Sequence, residues 1–310
     1  MQERKNKRRF LLLAALTVAT LLLLWWAQPE NRIDVDENIF QIEDLTAINQ
    51  VKLEGDSSVV VLSFDGGRWR VNDQYNAEQN MITVLFATLQ QARPKRAVGS
   101  GQQDSVFNDL ARKGVKVSLY EGSQLRREFW AGGNEAKTQA YFADPATRQV
   151  FVMAIPGYRV YTAGILELKE NGWRDKFVFG FNWRNFKSLE AKFPDKPAEN
   201  FKVVRGRDFF EIEGLAKTDT ARLNTFLDDL SLLRVDEYVI EPKLTDSLCK
   251  IKPRVEFSVF DVGNREYRLR VYSPLSPRKS PGLIQNGQAA FFDPRKIQAL
   301  LKPKSFFRKK

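Results

Sequence analysis

The stretch "GGRWRVN", residues 66–72, carries the pattern on which the fold prediction depends. A glycine pair precedes Trp69 and Val71, which alternate with polar residues, as is typical of a hairpin turn that enters a strand with one buried face. A second stretch, "RDFFEIEG" at residues 207–214, repeats this alternation, so that Phe210 falls on Trp69 and Ile212 on Val71. The same strand pattern therefore occurs twice in the chain.

A helix pattern follows each of these strands. In both helices, apolar residues recur at the i, i+3, i+4, i+7 and i+10 spacing of one buried face. The two stripes are Ile82, Leu85, Phe86, Leu89 and Ala92, and Leu223, Phe226, Leu227, Leu230 and Leu233. Each member of the second stripe lies at the same offset from its counterpart as Phe210 does from Trp69.

Two further hairpins follow each helix. Residues 115–130 and 255–272 are alternating segments about a turn that contains glycine, and their offset is one position smaller than that of the helices. At this smaller offset and without a gap, residues 140–153 fall on residues 280–293. Each half of the chain is therefore predicted to contain a hairpin, a helix, a short irregular or helical link and two more hairpins.

This order of elements predicts an α+β fold, a tandem duplication of a mainly antiparallel β module with one packed helix each, preceded by one transmembrane helix. The predicted organisation is a cytoplasmic basic segment (1–9), a transmembrane helix (10–27), a juxtamembrane spacer (28–39), a first α+β repeat (40–166), an ordered inter-repeat join (167–181), a second α+β repeat (182–302) and a basic tail (303–310).

The long apolar run at residues 10–27 predicts a single membrane span. Its length, at about 1.5 Å per residue, is roughly 27 Å, close to the thickness of the bilayer hydrocarbon. A cleaved signal peptide is the alternative, but Trp25 stands where a cut after Ala27 requires a small residue. Basic residues before the run and acidic residues after it place the amino terminus in the cytoplasm, with Trp25 and Trp26 at the far membrane interface.

The basic charge of the chain is concentrated at its two ends. Of the net +11, residues 1–9 carry +4, residues 302–310 carry +5 and the body between them only +2. This distribution argues against a nucleic-acid-binding surface. The carboxyl-terminal run "KPKSFFRKK" is expected to be solvated, or alternatively to contact a membrane through Phe306 and Phe307.

The chain has no histidine and one cysteine, Cys249. Without histidine, neither a Ser-His-Asp nor a Cys-His nucleophile can form, and the commonest transition-metal ligand is missing. A single thiol cannot make an internal disulfide, and Cys249 is expected to be buried and inert. No catalytic, cofactor-binding or metal-binding residues are predicted.

Two weak motifs fit non-catalytic interpretations. Ser276 and Lys279 match a Ser-x-x-Lys pattern, but prolines at 274, 277 and 281 break the helix that would align the pair, so a loop is expected. Residues 34–37 contain three carboxylates but lack the glycine and the distal glutamate of a calcium loop, which favours a spacer.

Three stretches, "INQVKLEG" (48–55), "RKGVKVSLYEG" (112–122) and "WRDKFVF" (173–179), resemble a bacterial family known as domain of unknown function 4340. The resemblance implies a single-span protein of the bacterial inner membrane with most of its chain extracytoplasmic. Because members are often encoded beside ABC-type transport components of the gliding-motility sort, it also implies transporter subunits as partners. No catalytic residues are established for the family, so none are carried over.

Trp173, Arg174, Asp175 and Lys176 form the cluster of greatest interest. One interpretation is an aromatic and ion-paired strut between the modules, and the other is a partner-docking point, since Trp and Arg commonly anchor interfaces. The leading functional hypothesis is a non-enzymatic accessory subunit that is anchored in the membrane and docks on an envelope transporter. The alternatives are a lipid or glycan carrier with a deep apolar groove, and an enzyme that uses carboxylates or lysines alone.

Overall fold

The structure is a computed structural model that describes residues 2–26, 36–42, 44–206 and 209–309. The described chain is α+β, with two antiparallel sheets and seven α-helices. It divides into two compact units with a boundary between Trp173 and Arg174, inside the segment predicted as the join. The first unit ends at Trp173 and the second begins at Arg174.

The first unit contains four helices and one sheet of nine strands. They are α1 (Gln2–Trp26), β1 (Gln50–Glu54), β2 (Val59–Phe64), β3 (Trp69–Val71), β4 (Tyr75–Asn76), α2 (Gln79–Gln91), β5 (Arg93–Ala97), α3 (Ser100–Lys113), β6 (Val115–Glu121), β7 (Gln124–Gly133), β8 (Ala140–Ala143), β9 (Val150–Ala154) and α4 (Glu170–Trp173). The strand order is β4-β3-β2-β1-β6-β7-β8-β9-β5.

The second unit contains three helices and one sheet of eight strands. They are β10 (Phe186–Lys192), β11 (Phe201–Arg205), β12 (Phe210–Ile212), α5 (Thr220–Ser231), β13 (Glu237–Tyr238), α6 (Pro242–Lys250), β14 (Val255–Asp261), β15 (Glu266–Val271), β16 (Ser280–Ile284), β17 (Ala289–Phe292) and α7 (Pro294–Leu300). The order β12-β11-β10-β14-β15-β16-β17-β13 is that of the first sheet without β4.

The predicted helix stripes form the middle of each core. All ten residues of the two stripes belong to, or pack against, the main apolar cluster of their own unit, together with the inward side chains of the sheet. We call the sheet face against α2 or α5 the inner face. The 3.6-residue helical period and the two-residue strand period were both readable in the sequence, and both are confirmed.

Each unit has a second packed helix at the place for which the sequence left an irregular and a helical link open. Along β9, Phe151 and Met153 join the core with α2, whereas Val150 and Val152 join a cluster with Phe107 of α3 on the opposite, outer face. The helix α6 occupies the corresponding place in the second unit. The prediction of one packed helix per module is therefore wrong. These helices bury only one or two side chains each, too few to give a clear stripe.

The gapless match of the last hairpins is wrong by one position. Ala140 pairs with Met153, whereas Ser280, its counterpart, pairs with Phe292. Met153 and Phe292 are both in the inner-face core, although the gapless match aligns Met153 with the residue after Phe292. The turn between the strands is one residue shorter in the second unit, which turn composition alone did not reveal.

The carboxyl-terminal segment is folded against the second unit, and the prediction of a solvated tail is wrong. The ring of Phe307 is fully buried, with its centroid 5.2 Å from those of Phe201 and Phe226. The backbone N–H of Lys309 donates to the carbonyl of Lys217 at 3.1 Å. Two adjacent phenylalanines drive this docking, because burying an aromatic side chain outweighs the solvation preference of its basic neighbours.

The only cysteine is also placed differently from the expectation. Cys249 lies on α6 and is exposed, whereas its neighbour Leu248 fills the apolar position beneath the helix. Leu248 and the partly buried Leu244 form the inward side of the helix, and leucine buries more apolar area there than cysteine would.

The amino-terminal helix α1 contains most of the predicted span. Its described apolar side chains, from Phe10 to Leu22, are exposed. Within the described part of the chain, no helix combines the length and the apolar character needed to cross a membrane. The side chains of Trp25 and Trp26 and the residues 27–35 lie outside the described part.

We expect Phe307→Ala to lower the free energy of unfolding by about 3–5 kcal/mol, because it leaves a cavity between two phenylalanine rings. Urea denaturation of the full chain followed by circular dichroism measures the change. The matched control is Phe209→Ala, which removes a 65% exposed ring of the same unit and is expected to have an effect of about 0.5 kcal/mol or less. Equal effects of the two substitutions would contradict the buried position of Phe307.

Candidate docking site

Trp173 is part of the interior of the first unit. Its indole is fully buried, and Nε1 donates to the carbonyl of Leu168 at 3.1 Å. The carbonyl of Trp173 accepts the backbone N–H of Glu78 at 2.7 Å, at the first turn of α2. Trp173 therefore packs in the core and fixes the start of the helix that covers the inner face.

Arg174 is buried in the second unit, with 4% of its surface exposed. Its guanidinium carbon lies 3.8 Å from the centroid of the Tyr238 ring, and Nη2 donates to Oε1 of Gln288 at 2.7 Å. The hydroxyl of Tyr238 in turn donates to the carbonyl of Asp175 at 2.6 Å. A buried cation is tolerated here because an aromatic face and an amide oxygen replace its hydration.

Asp175 and Lys176 are partly exposed and continue the same segment. A carboxylate oxygen of Asp175 accepts the N–H of Phe177 at 3.0 Å, and the carbonyl of Lys176 accepts the N–H of Val235 at 2.8 Å. The backbone of Lys176 and Phe177 is thus paired with that of Arg234 and Val235 in the manner of an additional antiparallel strand. Of the four residues in the cluster, Asp175 and Lys176 offer the accessible side chains, while Trp173 and Arg174 act through packing. The docking role of the cluster stays a prediction.

The sequence analysis missed a cleft on the outer face of the second sheet. A cavity of about 470 Å³ is lined by Glu266, Arg268, Arg270, Leu283, Ile284, Gln285 and Gly287. Arg268 donates to both oxygens of Glu266, through Nε at 2.7 Å and Nη2 at 3.0 Å, and Arg270 lies 3.5 Å from Glu256. The alternation in "EYRLRV" was the available signal, since it puts these charged residues on one side of β15.

The cleft is open because α6 is short. The fourteen-residue α3 packs Phe107 and Leu110 over the outer face of the first sheet, in a cluster with Trp130 of β7. The nine-residue α6 packs Leu248 on residues of β16 and β17. Over β15 the arginine and glutamate side chains therefore face solvent. The two units share a strand order but differ in how much of this face is covered.

The ion pair of Glu266 and Arg268 in the cleft is permanently charged. The hydrogen bond from Arg268 holds the pKa of Glu266 below its usual range, and the same bond raises the pKa of the guanidinium. Both groups therefore stay ionised at any physiological pH. A pair of this kind presents charge to a partner but does not exchange a proton with it near neutrality.

The first unit has a polar cavity of its own. It measures about 800 Å³ and is lined by residues of α3 together with Gly133, Asn134, Glu135 and Tyr141. Beside Gly133, the hydroxyl of Tyr161 donates to Glu167 at 2.5 Å, and Lys137 donates to both oxygens of the same carboxylate at 2.7 and 2.8 Å. Burial raises the pKa of Tyr161, so its phenol stays protonated as a donor.

The Ser-x-x-Lys motif takes the place expected of a loop. Lys279 Nζ donates to Glu237 at 2.7 Å, and the hydroxyl of Ser276 accepts the N–H of Arg278 at 3.3 Å, within a tight turn. The lysine is therefore occupied by a carboxylate. Asp34 lies outside the described residues, and among those described no cluster of three potential ligands could hold a metal ion.

We expect Arg174→Lys to destabilise the protein by about 1–3 kcal/mol, because a lysine keeps the charge but cannot stack on Tyr238 and reach Gln288 together. Urea denaturation measures the change. Lys176→Ala, in the same segment, is the control and is expected to stay within about 0.5 kcal/mol. If Arg174→Lys left stability unchanged but abolished partner capture, the residue would be a docking anchor and not a packing one.

Comparison with known proteins identifies the family of the chain. The model of the domain of unknown function DUF4340 matches residues 69–250, which include the helix stripes of both units and the "WRDKFVF" segment. Neither a curated protein nor a solved structure matches the chain. Since the family model covers more than half of its length, the chain belongs to the DUF4340 family.

Proposed function

We propose that this protein is a non-enzymatic accessory subunit, anchored in the bacterial inner membrane, that docks on an envelope ABC-type transport or gliding-type assembly through its extracytoplasmic units. We further propose that these units are tandem copies of one module. The shared strand order and the nearly constant sequence offset between matching elements support the second statement.

The packing of the two cores is the observation that carries the docking proposal. In the first unit, Phe40 contacts Phe129 and Phe142 with ring centroids 5.5 Å apart, and these two rings lie 4.7 Å from each other. In the second, the ring of Phe307 is fully buried in the core against Phe201 and Phe226. A lipid carrier needs an apolar cavity at such a place. Side chains of the chain itself occupy these interiors, which favours a protein that acts through its surface.

The lining of the surface cavities also favours a protein that acts through its surface. Each of three open cavities among the described residues is lined by at least three charged side chains. Charged, partly self-paired surfaces of this kind suit a hydrated protein interface, where electrostatic complementarity sets orientation and partner choice. The first-unit cavity, which is lined mainly by polar and charged side chains, does not offer the apolar lining that a lipid tail requires.

A glycan-binding function is the second candidate. The first-unit cavity brings the side chains of Asn108, Asn134 and Tyr141 together with Asp109 and Arg112. Amide, phenol and charged groups around about 800 Å³ could receive the hydroxyls of a sugar. The same experiment separates the two candidates.

The test is affinity capture of the tagged full chain from membranes in a mild detergent, with mass spectrometry of the co-purified material. A chain that lacks residues 40–302 is the control. ABC-type permease or auxiliary subunits captured only with the two units present support the docking proposal. Recovery of the protein alone, with bound glycan or lipid, refutes docking and supports a carrier.

The membrane topology is testable with the exposed Cys249, the only cysteine of the chain. The apolar run and the basic residues before it support an extracytoplasmic location for everything after the span. We therefore expect a membrane-impermeant maleimide to label Cys249 in spheroplasts without permeabilisation. Gel shift of the tagged protein measures the labelling.

The control for this topology test uses the same single-cysteine background. Cys249→Ser should not be labelled, and Lys7→Cys in that background should be labelled only after permeabilisation. Labelling of Cys249 that requires permeabilisation would show that the second unit is cytoplasmic, and the anchoring proposal would then be wrong.

A further inference from the structure

The first unit has a strongly basic edge. The strand β5, "RPKRA", is the last in its sheet and pairs, among the described strands, with β9 alone. It carries Arg93, Lys95 and Arg96 close together. Arg93 pairs with Ala154 at the end of β9, and Arg159 lies in the loop that follows, five residues further along the chain. We call these four residues the basic edge.

The cations of the basic edge have no carboxylate at ion-pair distance within the described part of the chain. Arg93 donates to the carbonyls of Gln90 and Ala92, at 2.7 and 3.1 Å, and so fixes the end of α2. Lys95, Arg96 and Arg159 are exposed. Several other exposed cations of the unit are paired, among them Arg112 with Asp109 at 3.0 Å and Arg126 with Glu121 at 2.7 Å.

The fold itself does not require cations at this edge. In the second unit the same place in the sheet belongs to β13. At the offset that aligns the two helix stripes, Lys95 corresponds to Asp236 and Arg96 to Glu237. The same strand position is thus acidic in one unit and basic in the other. The positive charge at this strand position is therefore a property of the first unit and is not required by the fold.

The basic edge is suited to contact a partner through its side chains and not by backbone pairing with another strand. The register of β5 shifts between Pro94 and Arg96, and a bulge, a proline and lysine on an edge strand all disfavour the addition of another strand. Beside Arg159, Tyr158 and Val160 are 66% and 55% exposed. Unpaired arginines next to an exposed aromatic ring have the composition of an interface anchor.

We propose that the basic edge binds an acidic segment of a partner protein. Charge complementarity selects the partner, since four cations without a carboxylate partner among the described residues are satisfied by a run of aspartate or glutamate. This inference rests on the proposed docking function and specifies the chemistry of the partner.

The first test uses the purified full chain in a neutral detergent and a fluorescent decaglutamate peptide as the probe. The variant Lys95→Gln, Arg96→Gln, Arg159→Gln leaves Arg93 in place because that side chain supports α2. It should bind the peptide about tenfold more weakly, as three exposed ion pairs are lost. The matched control, Arg112→Gln, Lys113→Gln, Arg126→Gln, removes the same charge and should change binding less than twofold. Equal losses, or no loss, overturn the proposal.

The second test is photo-crosslinking in cells, with p-benzoylphenylalanine in place of Tyr158. We expect a protein adduct whose cross-linked peptide is acidic, and its loss in the triple variant of the basic edge but not in the control variant. An adduct with lipid alone, or with a peptide that is not acidic, overturns the proposal. If affinity capture finds no partner at all, the docking function fails, whereas the decaglutamate measurement still decides whether the edge is an acid-binding surface.

Discussion

The architecture of both units depends on the alternation of side chains along their central strands. In the middle of β6 and β14, alternate residues are fully buried apolar side chains of the core that contains α2 or α5: Val117 and Leu119 in β6, and Val255, Phe257 and Val259 in β14. The residues between them face outward, where Ser118 and Ser258 occupy the middle of each outer face. A shift of one residue would exchange the two faces, so the registers of these strands fix where the core is and which side chains remain available for contact.

The same alternation explains how much could be predicted from the sequence. The stripes of α2 and α5 have five regularly spaced apolar residues each, and β3 and β12 have the two-residue period, so both kinds of element were predictable. In α3, only Phe107 and Leu110 are buried, and in α6 only Leu248. A helix that buries so little has no recognisable stripe, and its position is decided by tertiary packing on the outer face.

The carboxyl-terminal tail and the "WRDK" segment were predictable only in part, for a related reason. Phe306, Phe307, Trp173 and Arg174 were recognisable in the sequence as unusual residues. A local sequence pattern, however, does not determine which surface a side chain packs against. Phe307 meets rings contributed by a strand and a helix far away in the chain. Arg174 meets Tyr238 and Gln288, which are also distant in sequence. Contacts between residues so far apart in the sequence are determined by the tertiary fold.

Two units with one strand order provide an internal control for assigning function. Features that occur in both units, such as the buried helix stripe and the outward serine, are accounted for by folding. Features that occur in one unit need a separate cause. The open cleft over β15 follows from the shorter α6, which covers less of the outer face of its sheet than α3 does. The exchange of Lys95 and Arg96 for Asp236 and Glu237 is different, because all four side chains are exposed and both β5 and β13 are paired edge strands. Exposed charge that folding does not require is available for interaction. At the first-unit edge it is positive and has no carboxylate partner among the described residues, so an external acidic segment would not compete there with an ion pair of the unit itself.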